Sequence, residues 1–325
     1  MGRRKKLPTA LGDGFAVELA RRYDVSRARL RGADLVAPFH GMRIAASTID
    51  EPEHTDNPYL KQQRDRVARA RLYAPRLHTG HFFSHQTAAS IWGAPLPLEF
   101  TEEHAVAEDE ALPLHVSASG HLPFPRARGV VGHRTLASLT AITEHEGLRV
   151  TSPAATWISL GALTVADLVA LGDFFCRRWR EGIGRRDVGR APLATQDELH
   201  ALLHAGRRLG AARLREALPL IREDSWSPRE SLVRFTLVRA GLAEPELNVD
   251  VFDRRGRFIG CADMVYRAEK VIVEYHGMVH GPQWAQDVER VAAFRSAGWD
   301  VIEVTSPLMK RPEELVRRVD RALRR

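Results

Sequence analysis

Two carboxylates near the end of the chain, Asp263 and Glu274, have the residue type and spacing that a divalent metal site requires. The segments before and after residues 267–270 have strand-like patterns, and a four-residue loop between them pairs Tyr266 with Val271. Counting outward from that pair places Asp263 directly opposite Glu274, on one face of the sheet. Two carboxylates in this position repel each other, and a divalent cation such as Mg²⁺ relieves the repulsion.

The hairpin prediction depends on the length of the loop, because a two-residue loop would break the pairing of the two carboxylates. Glu274 follows the run 271–273, Val-Ile-Val, which is typical of a buried central strand. A carboxylate at the end of such a run favours a functional site over an exposed hairpin with unrelated charges. His276 shares the strand face of Glu274 by two-residue alternation, so it can act on a water molecule or on a phosphate.

The elements that must position these residues occupy residues 226–325. Ser-Pro-Arg-Glu at 227–230 opens an amphipathic helix, and three strands follow it. A helix over 283–297 ends at Gly298, before a fourth strand and a closing helix. The predicted order is α-β-β-β-α-β-α, an α/β (α+β) fold with a mixed central sheet.

The acidic pair carries a resemblance to a known superfamily. Asp263, ten intervening residues and then Glu274-x-His276 resemble the PD-(D/E)XK nuclease pattern. The segment 273–281, VEYHGMVHG, is similar to the Vsr-like branch of that superfamily, and so are four residues that follow it: Asp287, Arg290, Gly298 and Trp299. The resemblance covers about residues 226–325 and implies a restriction-endonuclease-like core.

The same resemblance implies roles for individual residues. Asp263 and Glu274 would be ligands of Mg²⁺ or Mn²⁺, and His276 or His280 would activate or position water. His276 stands where the superfamily carries a lysine, a substitution that occurs among Vsr-like proteins. Glu230 would be the helix carboxylate that reaches toward the site.

Two of these assignments have a structural alternative of equal weight. Ser227-x-x-Glu230 is also a capping box, which explains Glu230 without catalysis. Arg290 lies on the apolar face of its helix by 3.6-residue periodicity, so it faces the sheet. It either reaches the scissile phosphate or forms an ion pair with Asp287.

The front of the chain predicts a winged-helix-like unit over residues 15–45. A short helix covers 15–22, a second helix opens at Asp24 or Ser26, and 35–44 forms a β-turn-β segment. Three arginines would line the second helix, where they meet DNA or stay solvated: Arg27, Arg29 and Arg31.

The middle of the chain is mixed and then mainly helical. Residues 57–73 predict a polar connector helix, Ser152 and Pro153 begin a capped helix, and 164–223 are expected to be largely helical. Four histidines could ligate a metal, but their spacing matches no metal motif and favours structural roles: His81, His85, His115 and His133.

Short motifs in this front region resemble AbiE-type antitoxin proteins of actinobacteria, over about residues 15–175. They are Val25-Ser26-Arg27, Phe39-His40-Gly41, SHQTAA at 84–89 and TSPAAT at 151–156. The resemblance implies a degenerate winged helix that binds DNA and autoregulates. We therefore predict three domains: a winged-helix-like DNA-binding domain with its connector helix over 1–72, a middle domain over 73–225 and a nuclease domain over 226–325.

Composition is compatible with these expectations. The formal net charge is +7, which permits nucleic-acid binding, and the basic cluster at 1–6 is either a phosphate-contacting arm or a solvated tail. The two cysteines form neither a disulfide framework nor a zinc motif, and no apolar run could span a bilayer. We expect a cytoplasmic protein with DNA as partner, no membrane contact, and room for a protein partner or a homodimer.

Two functions from different classes follow. The retained pair Asp263 and Glu274 favours a metal-dependent DNA endonuclease or nickase. The missing lysine favours an antitoxin-like DNA-binding transcriptional regulator whose nuclease fold is catalytically silent.

Overall fold

The computed structural model describes residues 6–48, 54–277 and 282–325. The chain folds into two compact units, one of residues 1–160 with 201–209 and one of residues 161–200 with 210–325. The described residues form three sheets with helices around them, so the predicted mixed α/β class is confirmed. The division into three domains stays a prediction.

A small antiparallel sheet begins the first unit, in the order β1-β3-β2. Its elements are β1 Gly14–Ala16, α1 Val17–Arg22, β2 Leu35–Val36 and β3 Met42–Ala45. The predicted first helix and β-turn-β segment are therefore confirmed, the helix beginning two residues later than expected.

The predicted second helix of this unit is wrong. Asp24 adopts a left-handed φ of 56°, which is incompatible with an α-helix that begins there. Only a 3₁₀ turn forms, at Arg29–Arg31. The Arg29 guanidinium donates to both carboxylate oxygens of Asp34, at 3.0 and 2.7 Å. Arg27 and Arg31 are exposed, but there is no recognition α-helix for the three arginines to line.

A five-stranded mixed sheet forms the rest of the first unit, in the order β6-β5-β4-β8-β7. Its strands are β4 His81–Phe83, β5 Leu114–Ser119, β6 Val130–Thr135, β7 Ile142–His145 and β8 Leu148–Thr151. The helices are α2 Pro58–Tyr73, α3 His85–Ile91 and α4 Pro153–Ser159, which confirms the connector helix and the helix start at Pro153. The Ser152 hydroxyl accepts a hydrogen bond from the Ala155 amide at 3.2 Å, as an N-cap does.

Helices of the second unit precede its sheet. They are α5 Val165–Cys176, α7 Ala211–Ala217 and α8 Pro228–Arg239, and α6 Gln196–His204 crosses the boundary between the units. The expectation that 164–223 is largely helical is wrong for residues 177–195, which form no helix or strand. Left-handed φ values at Gly184, Asp187 and Gly189 exclude a continuous helix there.

The last hundred residues form a four-stranded sheet in the order β12-β11-β10-β9. The strands are β9 Glu246–Phe252, β10 Phe258–Tyr266, β11 Val271–His276 and β12 Asp300–Thr305, and the later helices are α9 Pro282–Ser296, α10 Ser306–Met309 and α11 Pro312–Leu323. Only the pair β11 and β12 is parallel. The predicted order α-β-β-β-α-β-α and the mixed sheet are confirmed, with the one-turn helix α10 in addition.

Each face of this sheet has its own apolar cluster. Val233 and Val319 bring α8 and α11 onto one face, together with Val273 of β11. Val291 and Phe294 of α9 pack in the other cluster. The apolar periodicity of α9 therefore does place Arg290 on the side of the helix that faces the sheet.

A buried cation joins α5 to α8. The Arg234 guanidinium lies 3.0 Å from Asp173 and 2.9 Å from Glu244, and it donates to the Leu220 carbonyl at 2.8 Å. The side chains of Arg234 and Asp173 are each only 1% exposed. Burial raises the pKa of Asp173, and the charge of Arg234 opposes that rise.

Among the described residues, no helix is both long enough and apolar enough to cross a bilayer. Cys176 and Cys261 are both free thiols, one on α5 and one on β10.

Candidate active site

The β10–β11 hairpin has the register that the sequence predicts. Tyr266 pairs with Val271 and Met264 with Val273, so the loop 267–270 has four residues. Lys270 adopts a left-handed φ of 54° at the end of that loop. The next position outward on the two strands brings Asp263 opposite Glu274.

Backbone-to-backbone pairing of β10 with β11 ends there. Beyond it, the two carboxylates accept the hydrogen bonds of backbone amides. The Asp263 amide donates to Glu274 Oε1 at 3.1 Å, and the Tyr275 amide donates to Asp263 Oδ2 at 2.8 Å. Each carboxylate thus accepts from the backbone of the opposite strand. This reciprocal pair of hydrogen bonds fixes both side chains side by side.

Both carboxyl groups resist ionisation in this position. Glu274 is fully buried and Asp263 is half-buried. Burial, followed by repulsion from Glu274 and Glu230, holds the pKa of Asp263 well above its usual range. Burial also raises the pKa of Glu274 to about 7, against the opposing effect of Arg290. Such a pair gains a large electrostatic stabilisation from any cation that it holds.

Arg290 supplies one cation to the pair. Its Nη1 atom lies 2.9 Å from Glu274 Oε2 and donates to the Cys261 carbonyl at 2.9 Å. Its Nη2 atom donates to Asp287 at 3.1 Å. The ion pair with Asp287 was one of the two sequence-based alternatives. The contact with Glu274 was missed, because it depends on where α9 crosses the sheet.

His276 and a third carboxylate extend the site along β11. Glu303 of β12 is the parallel partner of Glu274, and its Oε2 lies 3.7 Å from His276 Nε2. Glu303 also accepts from Arg295 at 2.6 Å. No local pattern indicated Glu303, because the alignment of β11 with β12 depends on the helix between them. His280 lies outside the described residues.

Glu230 forms the helix cap that one alternative predicted. The Ser227 hydroxyl accepts from the Glu230 amide at 3.2 Å, and Glu230 Oε2 accepts from the Trp226 amide at 3.0 Å. The Asn248 side chain donates to the same oxygen at 2.9 Å. Glu230 nevertheless contributes negative charge to the site, since it raises the pKa of both Asp263 and Glu274.

Three of the four histidines noted in the sequence meet in the first unit. His85, His115 and His133 each offer a ring nitrogen, and these nitrogens all lie within 4.8 Å of one another. The fourth, His81, is separate and hydrogen-bonds the Pro123 carbonyl through Nε2 at 2.7 Å.

No protein-family model matches the chain, and a search of curated proteins finds no match to its sequence.

The raised pKa of Glu274 predicts a pH dependence of stability. A carboxyl group whose pKa rises from 4.5 to about 7 on folding binds its proton more tightly when folded. Its contribution to the free energy of unfolding is therefore complete below about pH 4.5 and is lost as pH rises through 7. In chelator-treated buffer, we expect the free energy of unfolding of wild type to decline with pH by on the order of 1–3 kcal/mol through this group. Glu274→Gln is expected to lack that decline.

Urea unfolding of wild type and variant at several values between pH 5 and pH 8 measures the difference between the two curves. Glu269→Gln, in the exposed hairpin loop, is the matched control and keeps the wild-type slope. Parallel curves for wild type and Glu274→Gln would contradict the assignment.

Proposed function

We propose that this protein is a metal-dependent DNA endonuclease or nickase of the PD-(D/E)XK type, with its restriction-endonuclease-like core in residues 226–325. The observation that carries the proposal is the pair Asp263 and Glu274. Their carboxylates are fixed side by side, largely removed from water, and both have raised pKa values. A fold that only needed stability would gain nothing from such a pair.

The donor set fits Mg²⁺ or Mn²⁺. Both residues offer carboxylate oxygens, the ligands that these hard cations prefer, and each carboxylate keeps lone pairs beyond the hydrogen bonds it accepts. Asp263 and Glu274 would hold the ion, which when bound stabilises the charge that develops on the phosphate.

His276 provides the proton acceptor in this proposal. It lies on the same strand as Glu274, two residues further on and on the same face. In this proposal the attacking water loses its proton to the His276 imidazole, and Glu303, whose Oε2 lies 3.7 Å from Nε2, stabilises the imidazolium that forms. This arrangement gives His276 the role of the lysine that the motif lacks.

DNA is the proposed partner of the front unit. Arg27 and Arg31 are exposed beside the small sheet, but they do not lie on an α-helix that could enter the major groove. Contacts from these side chains would go to phosphates, which confer affinity without sequence readout. We therefore expect DNA binding that weakens as the salt concentration rises.

One observation favours the second candidate, a DNA-binding regulator of the antitoxin type with a silent nuclease fold. The Arg290 guanidinium contacts Glu274 Oε2 at 2.9 Å and neutralises the carboxylate that a metal ion would use. A fixed ion pair there would preserve the fold without hydrolysis.

Incubation of supercoiled plasmid with the full chain and Mg²⁺ or Mn²⁺ tests the proposal. The nuclease function predicts relaxed or linear product that disappears with a chelator. Absence of product with either metal, together with a gel shift that persists in Asp263→Ala and Glu274→Ala, would instead establish the regulator.

A further inference from the structure

We infer that His85, His115 and His133 form a binding site for a divalent transition-metal ion, with Zn²⁺ the first choice and a fourth position open to water. The site lies at the five-stranded sheet of the first unit, and it does not depend on the proposed nuclease function. Imidazole nitrogens suit Zn²⁺, whereas the carboxylates of the other unit suit Mg²⁺.

The three ligands come from three different elements. His85 is the first residue of α3, His115 lies on β5 and His133 lies on β6. In the parallel pairing of β5 with β6, Val131 is opposite His115 and His133 is opposite Ser117. His115 and His133 therefore lie on one face, two residues apart along the ladder, with His85 stacked against them at centroid distances of 5.6 and 3.7 Å.

The nitrogen positions are close to those of a tetrahedral centre. Zinc–nitrogen bonds of about 2.0–2.1 Å place two ligand nitrogens about 3.3 Å apart. His115 Nδ1 and His133 Nε2 are 2.8 Å apart, and all three ligand atoms lie within 4.8 Å of one another. The rings are stacked within 15–29° of parallel, so binding requires them to rotate toward a common point.

A hydroxyl network orients His85. Its Nδ1 atom lies 2.9 Å from Ser84 Oγ, which accepts a hydrogen bond from Ser117 Oγ at 2.8 Å. With Nδ1 held by this network, Nε2 of His85 is the nitrogen left to bind a metal, as in metal sites where a second hydrogen bond fixes the ligand ring. His85 also has a left-handed φ of 52°, which is unusual for a residue with a side chain and concentrates at functional sites.

The three imidazoles are half-buried, and burial disfavours their charged form. Burial lowers the pKa of His85 to about 3 and that of His115 to about 4, and it also lowers the pKa of His133. The nearby cation, Arg66, is engaged by Glu99 at 2.7 Å.

Zinc uptake by the full chain tests the site. Protein stripped by a chelator and dialysed against Zn²⁺ is expected to retain one ion in this site. Replacing a ligand, as in His115→Ala or His133→Ala, is expected to weaken Zn²⁺ binding by more than about 100-fold. Ser84→Ala, which removes only the orienting hydroxyl, is expected to weaken it about 10-fold.

Two controls separate this site from other sources of binding. His121→Ala changes an exposed histidine of the same unit and should leave Zn²⁺ affinity unchanged. Glu274→Gln should also leave it unchanged, which distinguishes this site from the carboxylate pair. Zn²⁺ retention that survives the alanine substitution of each ligand, His85, His115 and His133, or that is absent from wild type, overturns the proposal.

A spectroscopic measurement on wild type does not depend on how the variants fold. X-ray absorption of the Zn²⁺-loaded protein is expected to show three imidazole nitrogens at about 2.0–2.1 Å. A shell made of oxygen alone would mean that the three rings are stacked only for packing.

Discussion

Asp263→Asn and Glu274→Gln are each expected to slow plasmid nicking in Mg²⁺ by at least about 100-fold, the effect typical of removing one electrostatic stabilising group from an active site. Each substitution keeps the side-chain shape and removes one of the two charges that would hold the ion. Each new amide can still accept the backbone hydrogen bond through its oxygen, and Arg290 keeps its ion pair with Asp287, so both variants are expected to fold. The rate of loss of supercoiled plasmid, measured over a range of Mg²⁺ concentrations, checks the prediction.

The matched control for this experiment is Glu269→Gln, which removes an exposed carboxylate from the loop of the same hairpin. It is expected to nick at the wild-type rate. If all three variants and wild type nick equally, the cleavage comes from elsewhere and the carboxylate pair is not the catalytic site.

Arg234→Met is expected to lower the free energy of unfolding by about 3–5 kcal/mol at pH 7, the usual cost of breaking a buried ion pair by removing one partner. The substitution leaves the buried Asp173 carboxylate without its cation and removes the donor to the Leu220 carbonyl. Most of the cost is the desolvation of Asp173, not the loss of attraction. Urea unfolding followed by circular dichroism measures the change.

Two further variants show whether burial causes the effect. Arg239→Met, on the same helix, breaks an exposed pair with Glu216 and is expected to cost no more than about 1 kcal/mol. Adding Asp173→Leu to Arg234→Met removes both buried charges and should recover most of the lost stability. If Arg234→Met and Arg239→Met lowered the free energy of unfolding equally, the buried ion pair would stabilise the fold no more than the exposed one does.

The candidate carboxylate site could be predicted because its determinants are local. Asp263 and Glu274 lie eleven positions apart on a single hairpin, and strand alternation with loop length fixes which residues face each other. The same local rules gave the cap at Ser227 and the ion pair between Asp287 and Arg290 as one of two alternatives each, since each joins residues three positions apart.

Contacts between distant segments were not predictable in this way. Glu303 reaches His276 only because β12 returns parallel to β11 after the intervening helix. The three histidines are separated by loops of no regular pattern, so their spacing carried no metal motif. In the first unit, the residues after Asp24 have a helical sequence pattern but form no α-helix. Asp24 adopts a left-handed φ, and Arg29 pairs with Asp34 instead.

The sequence by itself determined the order of elements in the last hundred residues and the opposition of Asp263 to Glu274, because hydrophobic period and turn length act over a few residues. Only the tertiary structure decided what surrounds that pair. The packing of α9 on the sheet brings Arg290 to Glu274, and the mixed sheet of the first unit brings His85, His115 and His133 together. Such contacts arise when apolar faces of distant segments are buried against each other. The residues that meet in this way are far apart in the sequence, so no short motif or regular spacing marks them.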